Sequence, residues 1–129
     1  MKLFNLIFWL SRKVKGGVFL LRVMYGCDIP RKAMIGKHVT FSHRGLGTVV
    51  SSMAVIEDNV YIQHHVTIGS KDGKTAPIIH KNVYIGSYAM ILGNIEIGEG
   101  ATIGAGTLVL KNIPPHTVYV NKRELTQIG

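Results

Sequence analysis

The sequence predicts an all-β protein, a parallel β-helix of hexapeptide repeats with a short helical leader at its N-terminus. Three observations predict it. Ile79, Ile85, Ile91, Ile97, Ile103 and Val109 recur every six residues without a miss. Four residues after each stands a second small or branched side chain: Val83, Ala89, Ile95, Ala101, Thr107 and Ile113. Gly86, Gly98 and Gly104 directly follow three of the repeat aliphatics. Neither a helical period of 3.6 nor a strand period of 2 produces this pattern. A six-residue unit is a short strand plus a corner, and three units close one coil. The repeat aliphatics then stack inward, and neighbouring coils bury each other's faces. Glycine beside the aliphatic suits a tight corner, where a side chain would clash or φ is positive.

The chain opens on residues 1–26, MKLFNLIFWLSRKVKGGVFLLRVMYG. Leu3, Leu6, Ile7, Leu10 and Val14 fall at helical spacing, which predicts a helix over about residues 2–15. Gly16-Gly17 break it, and Val18 to Met24 resume it. The apolar run Leu6–Leu10 is too short to span a bilayer, and no small-residue cleavage site follows it. Five basic and no acidic residues accompany Phe4, Phe8, Trp9 and Phe19. That composition suits an interfacial helix on an anionic cytoplasmic leaflet, a peripheral membrane contact through residues 1–24. The simpler alternative is a helix that caps the open end of the β-helix or packs on a neighbouring subunit.

Gly26 to Pro30 read as a turn into the first coil, and Ile35-Gly36 and Phe41 begin the repeat. Its phase breaks across Ser42–Thr48, returns at Val50, Ile56, Ile62 and Ile68, and breaks again across Ser70–Pro77. Insertions project from a stacked body, so a solenoid interrupted twice carries its site at the interruptions. From Ile79 the repeat runs to Ile113, where Pro114-Pro115 end it, since proline cannot donate to a strand ladder. The domain organisation is therefore a leader over 1–26, a β-helix over 27–120 and a tail over 121–129, with a final strand at Thr117–Val120 or a short helix after His116.

Composition narrows the function. With 129 residues, 47% apolar and 17% charged, the chain makes one domain with a core. The single Cys27 excludes an internal disulfide and fits a reducing, cytoplasmic compartment. Residues 1–37 hold eight basic residues against Asp28 alone, while residues 38–129 hold seven basic and six acidic ones. The β-helix is thus nearly neutral, which argues against nucleic acid, for which a basic stripe with aromatics is needed. No P-loop or dinucleotide fingerprint is present.

The motifs in series resemble the catalytic half of serine acetyltransferases. They are Asp28-Ile29-Pro30, Ile35-Gly36, Phe41-Ser42-His43, Gly47-Thr48-Val49-Val50 and Ala54-Val55-Ile56-Glu57. Val66-Thr67-Ile68-Gly69, Ile91 to Gly98, Ile103-Gly104-Ala105-Gly106 and Pro114-Pro115-His116-Thr117 continue the series. The resemblance covers roughly residues 27–118 and is nearest to short forms associated with surface polysaccharide synthesis. It implies a left-handed β-helix, against the usual right-handed crossover. It also implies a homotrimer with acetyl-CoA as co-substrate along the cleft between subunits, and no metal.

Acetyl transfer to an alcohol needs a base, because a neutral hydroxyl is a weak nucleophile, and histidine suits that role. Of the six histidines, His43 sits in the glycine-flanked break and matches the family's catalytic histidine. Asp28, fifteen residues earlier, matches the carboxylate that orients it; as a plain turn residue it would cap the first coil. His64 and His65, read as strand neighbours facing opposite sides, and Ser42 are candidate acceptor contacts. His38 and His80 read as surface, and His116 shapes the last coil. By resemblance, Gly69, Ser70, Gly86, Ser87, Gly104 and Ala105 contact coenzyme A, though each also suits simple corner geometry. Lys74, Lys111, Lys122 or Arg123 could meet its phosphates as point charges; for any one of them a solvated side chain is the plainer reading.

The chain departs from the family pattern in three places. Ala76 replaces a second histidine, Ser42 replaces the acidic residue before His43, and Asn121-Lys122-Arg123 replace the usual glycine-x-proline-alanine ending. The first two bear on serine as acceptor and leave a sugar hydroxyl equally open. Two other classes stand beside O-acetyl transfer. One is a zinc hydratase resembling γ-carbonic anhydrase, enlisting His38, His43 and His64 or His65. The other is a non-catalytic scaffold.

Overall fold

The computed structural model describes residues 2–123 and 125–127, a left-handed parallel β-helix of about four turns closed at one end by a helical hairpin. The hairpin is α1 (Lys2–Ser11) and α2 (Gly17–Tyr25). Four coils follow, each of three short strands. They are β1 (Met34–Ile35), β2 (Thr40–Phe41) and β3 (Val49–Val50); then β4 (Val55–Ile56), β5 (Tyr61–Ile62) and β6 (Thr67–Gly69). Next come β7 (Ile78–Ile79), β8 (Tyr84–Ile85) and β9 (Met90–Leu92), then β10 (Glu96–Ile97), β11 (Thr102–Ile103) and β12 (Leu108–Val109). A last strand, β13 (Val118–Tyr119), starts a further turn.

Through β12 every third strand pairs in parallel, and β13 joins β11, so the prism has three faces: β1-β4-β7-β10, β2-β5-β8-β11-β13 and β3-β6-β9-β12. Where the repeat is unbroken, partners lie eighteen residues apart, as Ile79 with Ile97 and Ile91 with Val109. The two phase breaks are insertions at corners. Phe41 pairs with Ile62 across the first, and Ile62 with Ile85 across the second. The strands themselves keep register, because a one-residue slip would turn every inward aliphatic outward.

Ile56, Ile62, Ile68, Ile79, Ile85, Ile91, Ile97, Ile103 and Val109 line the bore and are essentially fully buried. Each contributes about 1.5–3 kcal/mol by burial. Their strand neighbours point outward and are exposed or half-buried, as Tyr84, Met90, Glu96 and Leu108 are. The repeat glycines serve close approach rather than positive φ. A Cβ on Gly86 would stand 2.5 Å from the backbone nitrogen of Ala105 in the next coil. Left-handed residues occupy other corner positions, among them Asn59, Asn82, His65 and Tyr88. Corner N–H groups there donate down the stack, as from Asn82 to the Asp58 carbonyl and from Tyr88 to the His64 carbonyl.

The leader packs on the solenoid, as the capping alternative expected. Phe4, Phe8 and Leu21 are buried, with the Phe8 ring 5.3 Å from Phe41 of the first coil. The first helix ends at Ser11, four residues short of the spacing-based boundary. The Ser11 hydroxyl donates to the Phe8 carbonyl, and Gly17 lies so close to the Ser11 backbone that a side chain has no room there. Arg12 donates to the carbonyls of Pro30, Arg31 and Ala33 at 2.7, 2.9 and 2.7 Å, tying the hairpin to the first coil. At the other end the prolines reduce one face to a single bridge, Ile97 with Ile113, before β13 pairs with β11. Asn121 then completes β12: its side chain accepts from Leu108 N–H and donates to the Leu108 carbonyl.

Replacing Ile85 with Ala opens a cavity between two coils and should cost about 2–5 kcal/mol. Replacing the outward Leu108 with Ala should stay within about 1 kcal/mol. Urea unfolding of the two variants checks the difference.

Candidate active site

The first insertion builds the most unusual backbone in the chain. After Phe41 it turns through His43 (φ 51, ψ 37), Arg44 (φ 56, ψ 32) and Gly45 (φ 72) in succession. Two consecutive non-glycine residues in the left-handed region cost of order 1 kcal/mol each or more. Backbone bonds hold the turn at its C-terminal end, while the pairing of β2 with β5 fixes its start at Phe41. Gly47 N–H donates to the Gly26 carbonyl at 2.9 Å, Thr48 N–H to Gly45 at 2.9 Å, and Asp28 N–H to Thr48 at 2.9 Å. Gly47 (φ 68) admits no side chain, because a Cβ would overlap the His65 ring. The result projects His43 and Arg44 outward over a buried Ser42 and Gly45. An open cavity of about 570 Å³ lies there, lined by Ser42, His43, Arg44, Leu46 and Tyr61.

His64 and His65 are not strand neighbours. They lie in the turn after β5, and His65 is left-handed (φ 54), so both rings gather at the same corner. The His64 ring meets His43 edge-on at 4.9 Å and Tyr88 at 5.5 Å, while His65 stacks on Tyr88 at 4.7 Å. The expectation of opposite faces fails because corner geometry, not strand alternation, governs these positions. His64 Nδ1 is buried without a hydrogen-bond partner, and Thr48 Oγ1 shares that condition. Tyr88 has no motif behind it, and only counting coils from His65 would have placed it here.

Asp28 does not meet His43. Its carboxylate accepts from Arg22 at 2.6 Å, and a guanidinium is a stronger partner than an imidazole. Asp28 serves the site through its main chain, which bonds Thr48 and Val50 at the far end of the His43 turn. Cys27 is buried beneath the same turn, and burial first, with the nearby Asp28 charge, pushes its thiol up to about 11. A thiol so placed supplies little thiolate at neutral pH.

The six candidate coenzyme contacts separate onto two edges of the prism. Gly86, Ser87, Gly104 and Ala105 follow β8 and β11, on the same edge as His43 and His64. Arg123 reaches this edge too, with Nη2 3.4 Å from the Gly106 carbonyl. Gly69 ends β6 and Ser70 follows it, at the next edge, where the second insertion projects. There Ser70 Oγ accepts from Gly73 N–H at 2.8 Å and lies 3.2 Å from Asp72. Asp72 accepts from the N–H groups of Lys74 and Thr75 at 2.8 Å, and these bonds hold its carboxyl down at about 2. Ser70 is therefore a member of the loop's internal scaffold. Ala76 is buried at the base of that loop. Lys111 lies over the Tyr119 ring at 5.3 Å.

The third edge carries His38, His80 and His116. His38 is exposed and remote in the fold from the His43 edge, so a single chain does not gather the three histidines of a zinc site. Among the described residues, no group of three or more His, Cys, Asp or Glu side chains could hold a metal ion. His80 is not a bare surface residue: Nε2 lies 3.0 Å from Glu96 and Nδ1 3.2 Å from Glu57.

A helix-free repeat that buries one aliphatic per six residues defines a hexapeptide-repeat protein. Residues 76–111 match the family described as "Bacterial transferase hexapeptide (six repeats)". Within that class the chain is serine acetyltransferase-like. It is 43% identical over 104 residues to serine acetyltransferase of Buchnera aphidicola, covering 78% of this chain and 40% of that protein. It is 48% identical over 99 residues to serine acetyltransferase of Salmonella typhimurium, covering 74% and 36%. Soybean serine acetyltransferase complexed with serine superposes with a TM-score of 0.76 at 44% identity, covering 82% of this chain and 44% of that one. The chain thus spans about two-fifths of the length of the relatives it matches.

The bond to Glu96 raises the His80 pKa above its ordinary value; Glu57 adds to this, and partial burial opposes it. A raised folded pKa stabilises fully below the unfolded value near 6.5, and the gain disappears as pH rises through the folded pKa. Thermal melts should therefore show His80→Gln losing more stability against the parent at pH 5.5 than at pH 8.5. Equal losses at both pH values would remove the ion-pair account.

Proposed function

We propose that the chain is an acetyl-CoA-dependent O-acetyltransferase in which His43 is the general base. The observation that carries this reading is the left-handed turn at His43 and Arg44, a strained feature held over an open cavity at the head of an edge of small residues. The identity to serine acetyltransferases over 104 and 99 residues supports it. His43 takes the proton from an acceptor hydroxyl as its oxygen attacks the thioester carbonyl. A backbone N–H in the cleft stabilises the tetrahedral oxyanion. Collapse forms the ester and breaks the C–S bond, and the His43 imidazolium returns its proton to the leaving thiolate. The lone buried thiol of Cys27 is unsuited to a covalent acyl intermediate, which favours direct attack.

Residues 27–120 form the transferase unit in this reading, and residues 121–129 its tail. Ser87 and Ala105 keep the His43 edge low, so the pantetheine arm can run along it. Gly69 and the Ser70 loop stand on a different edge. A ligand touching both sets lies between two chains, which favours a homotrimer with three shared clefts. His64, edge-on to His43, positions its ring, and Asp28 anchors the turn from below. Serine is the acceptor of the relatives named, but Ala76 and Ser42 stand where the family pattern has an imidazole and a carboxylate on the acceptor side. A sugar hydroxyl therefore remains as the second acceptor class. Acetyl-CoA is a cytosolic metabolite, which favours the cytoplasm, and the basic apolar leader favours a peripheral position at the inner membrane face.

Thiol release from acetyl-CoA, with L-serine and a panel of sugars offered side by side, tests the reading. His43→Ala should abolish turnover, by at least 100-fold on the scale of a lost general base, with circular dichroism and acetyl-CoA binding retained. Retained turnover in that variant overturns the assignment of the base. Absence of acetyl-CoA binding in the parent protein favours the scaffold.

A further inference from the structure

The leader uses only one side of each helix to cap the solenoid. Phe4, Phe8 and Leu21 face inward, whereas Leu3, Leu6, Leu10, Phe19, Leu20 and Val23 are each about half exposed or more. Between the helices an apolar groove of about 420 Å³ opens, bounded by Ile7, Leu10, Val14 and Leu20 and edged by Lys15. A continuous apolar face of this extent marks an interaction site. Neither helix is long and apolar enough to cross a membrane, among the described residues.

The charges around this face say what covers it. Residues 1–27 contain no acidic residue. Arg12 spends its charge on the carbonyls of Pro30, Arg31 and Ala33, and Arg22 on Asp28. By binding that turn, Arg12 draws the exposed Arg31 and Lys32 up to the exposed Lys13 and Lys15 at the end of α1. Arg31 is near enough to lower the Arg12 pKa, after the larger effect of burial. Four uncommitted cations thus gather beside an apolar helical face. A second copy of the hairpin would bring the same cations together, whereas an anionic lipid surface would satisfy both charge and apolar area.

We propose that the outer face of the α1–α2 hairpin docks on an anionic bilayer, with Lys13, Lys15, Arg31 and Lys32 at the headgroups and Leu3, Leu6, Leu10 and Phe19 entering the acyl boundary. This rests on the peripheral placement proposed above and gives it a surface; it does not require acetyl transfer. The end of the molecule bearing the first coil then faces the membrane, and the His43 turn, which belongs to that coil, lies close to it.

The test is flotation of the full chain with phosphatidylcholine vesicles, with and without phosphatidylglycerol. Trp9, the chain's one tryptophan, is partly exposed and reports insertion by its emission. Binding to the phosphatidylglycerol vesicles, weakened by salt and accompanied by a blue shift, is expected. Lys13→Gln with Lys15→Gln should weaken partitioning by on the order of tenfold or more. These side chains are exposed, so folding is preserved. Failure to float, or equal binding to neutral vesicles, overturns the proposal. So does a Leu6→Ser, Leu10→Ser, Phe19→Ser variant that dissociates an oligomer, since the occupant is then a second copy. Thiol release is measured on the same samples. Activity without flotation sinks only the lipid surface, and flotation without activity or acetyl-CoA binding sinks only the transferase reading.

Discussion

The inward aliphatic of each repeat must lie directly over its counterpart in the coil below, and most of the structure follows from that stacking. Ile62 sits on Ile85 and Ile85 on Ile103 because a strand of two residues has no other way to exclude water. The stacking fixes eighteen residues per coil, and any surplus must leave the prism at a corner. Both surpluses do so, one as the turn at His43 and one as the loop at Ser70–Pro77. It also brings coils close enough that Gly86 packs against the backbone of Ala105. The site is therefore an exception that the regular body can carry. A left-handed His43 and Arg44 persist because the β2–β5 pairing fixes the turn's start and backbone bonds linking Gly47 to Gly26 and Thr48 to Asp28 fix its end.

Charge is distributed by the same division between body and attachments. The coils carry paired or solvated charges, such as His80 between Glu57 and Glu96. The leader carries an excess with no acidic complement of its own, and two of its arginines work inside the protomer. Arg22 takes the carboxylate of Asp28, leaving the ring of His43 in edge contact with His64. A contact on the leader thus bears on the His43 turn, since Gly26 and Asp28 join the end of α2 to the C-terminal end of that turn.

Much of this was legible in the residues. A strict period of six identified the coils, the two phase breaks identified the insertions, and the leader was visible as two apolar helical segments. Flat-strand alternation does not hold at the corners. It puts His64 and His65 on opposite faces, yet a hexapeptide unit is half corner, and corner residues do not alternate. Glycine after the aliphatic was ascribed partly to positive φ, whereas at Gly86 the reason is a neighbour one coil away. Pairing of Asp28 with His43 was carried by resemblance alone, and the competing Arg22 lies in a segment outside that resemblance.

The sequence by itself determined the β-helix, the places where it is interrupted, the helical leader and the histidine at the first interruption. Each is a local or periodic property, set by which side chains must leave water and by how far apart they occur. Only the tertiary structure decided that Tyr88 and His64 join His43, that the coenzyme candidates divide between two edges, and that Arg12 draws four cations to one end. Those depend on which residues of different coils share a corner and which partner wins a charge. Both are set by packing in three dimensions, where a residue's neighbours are eighteen or more positions away.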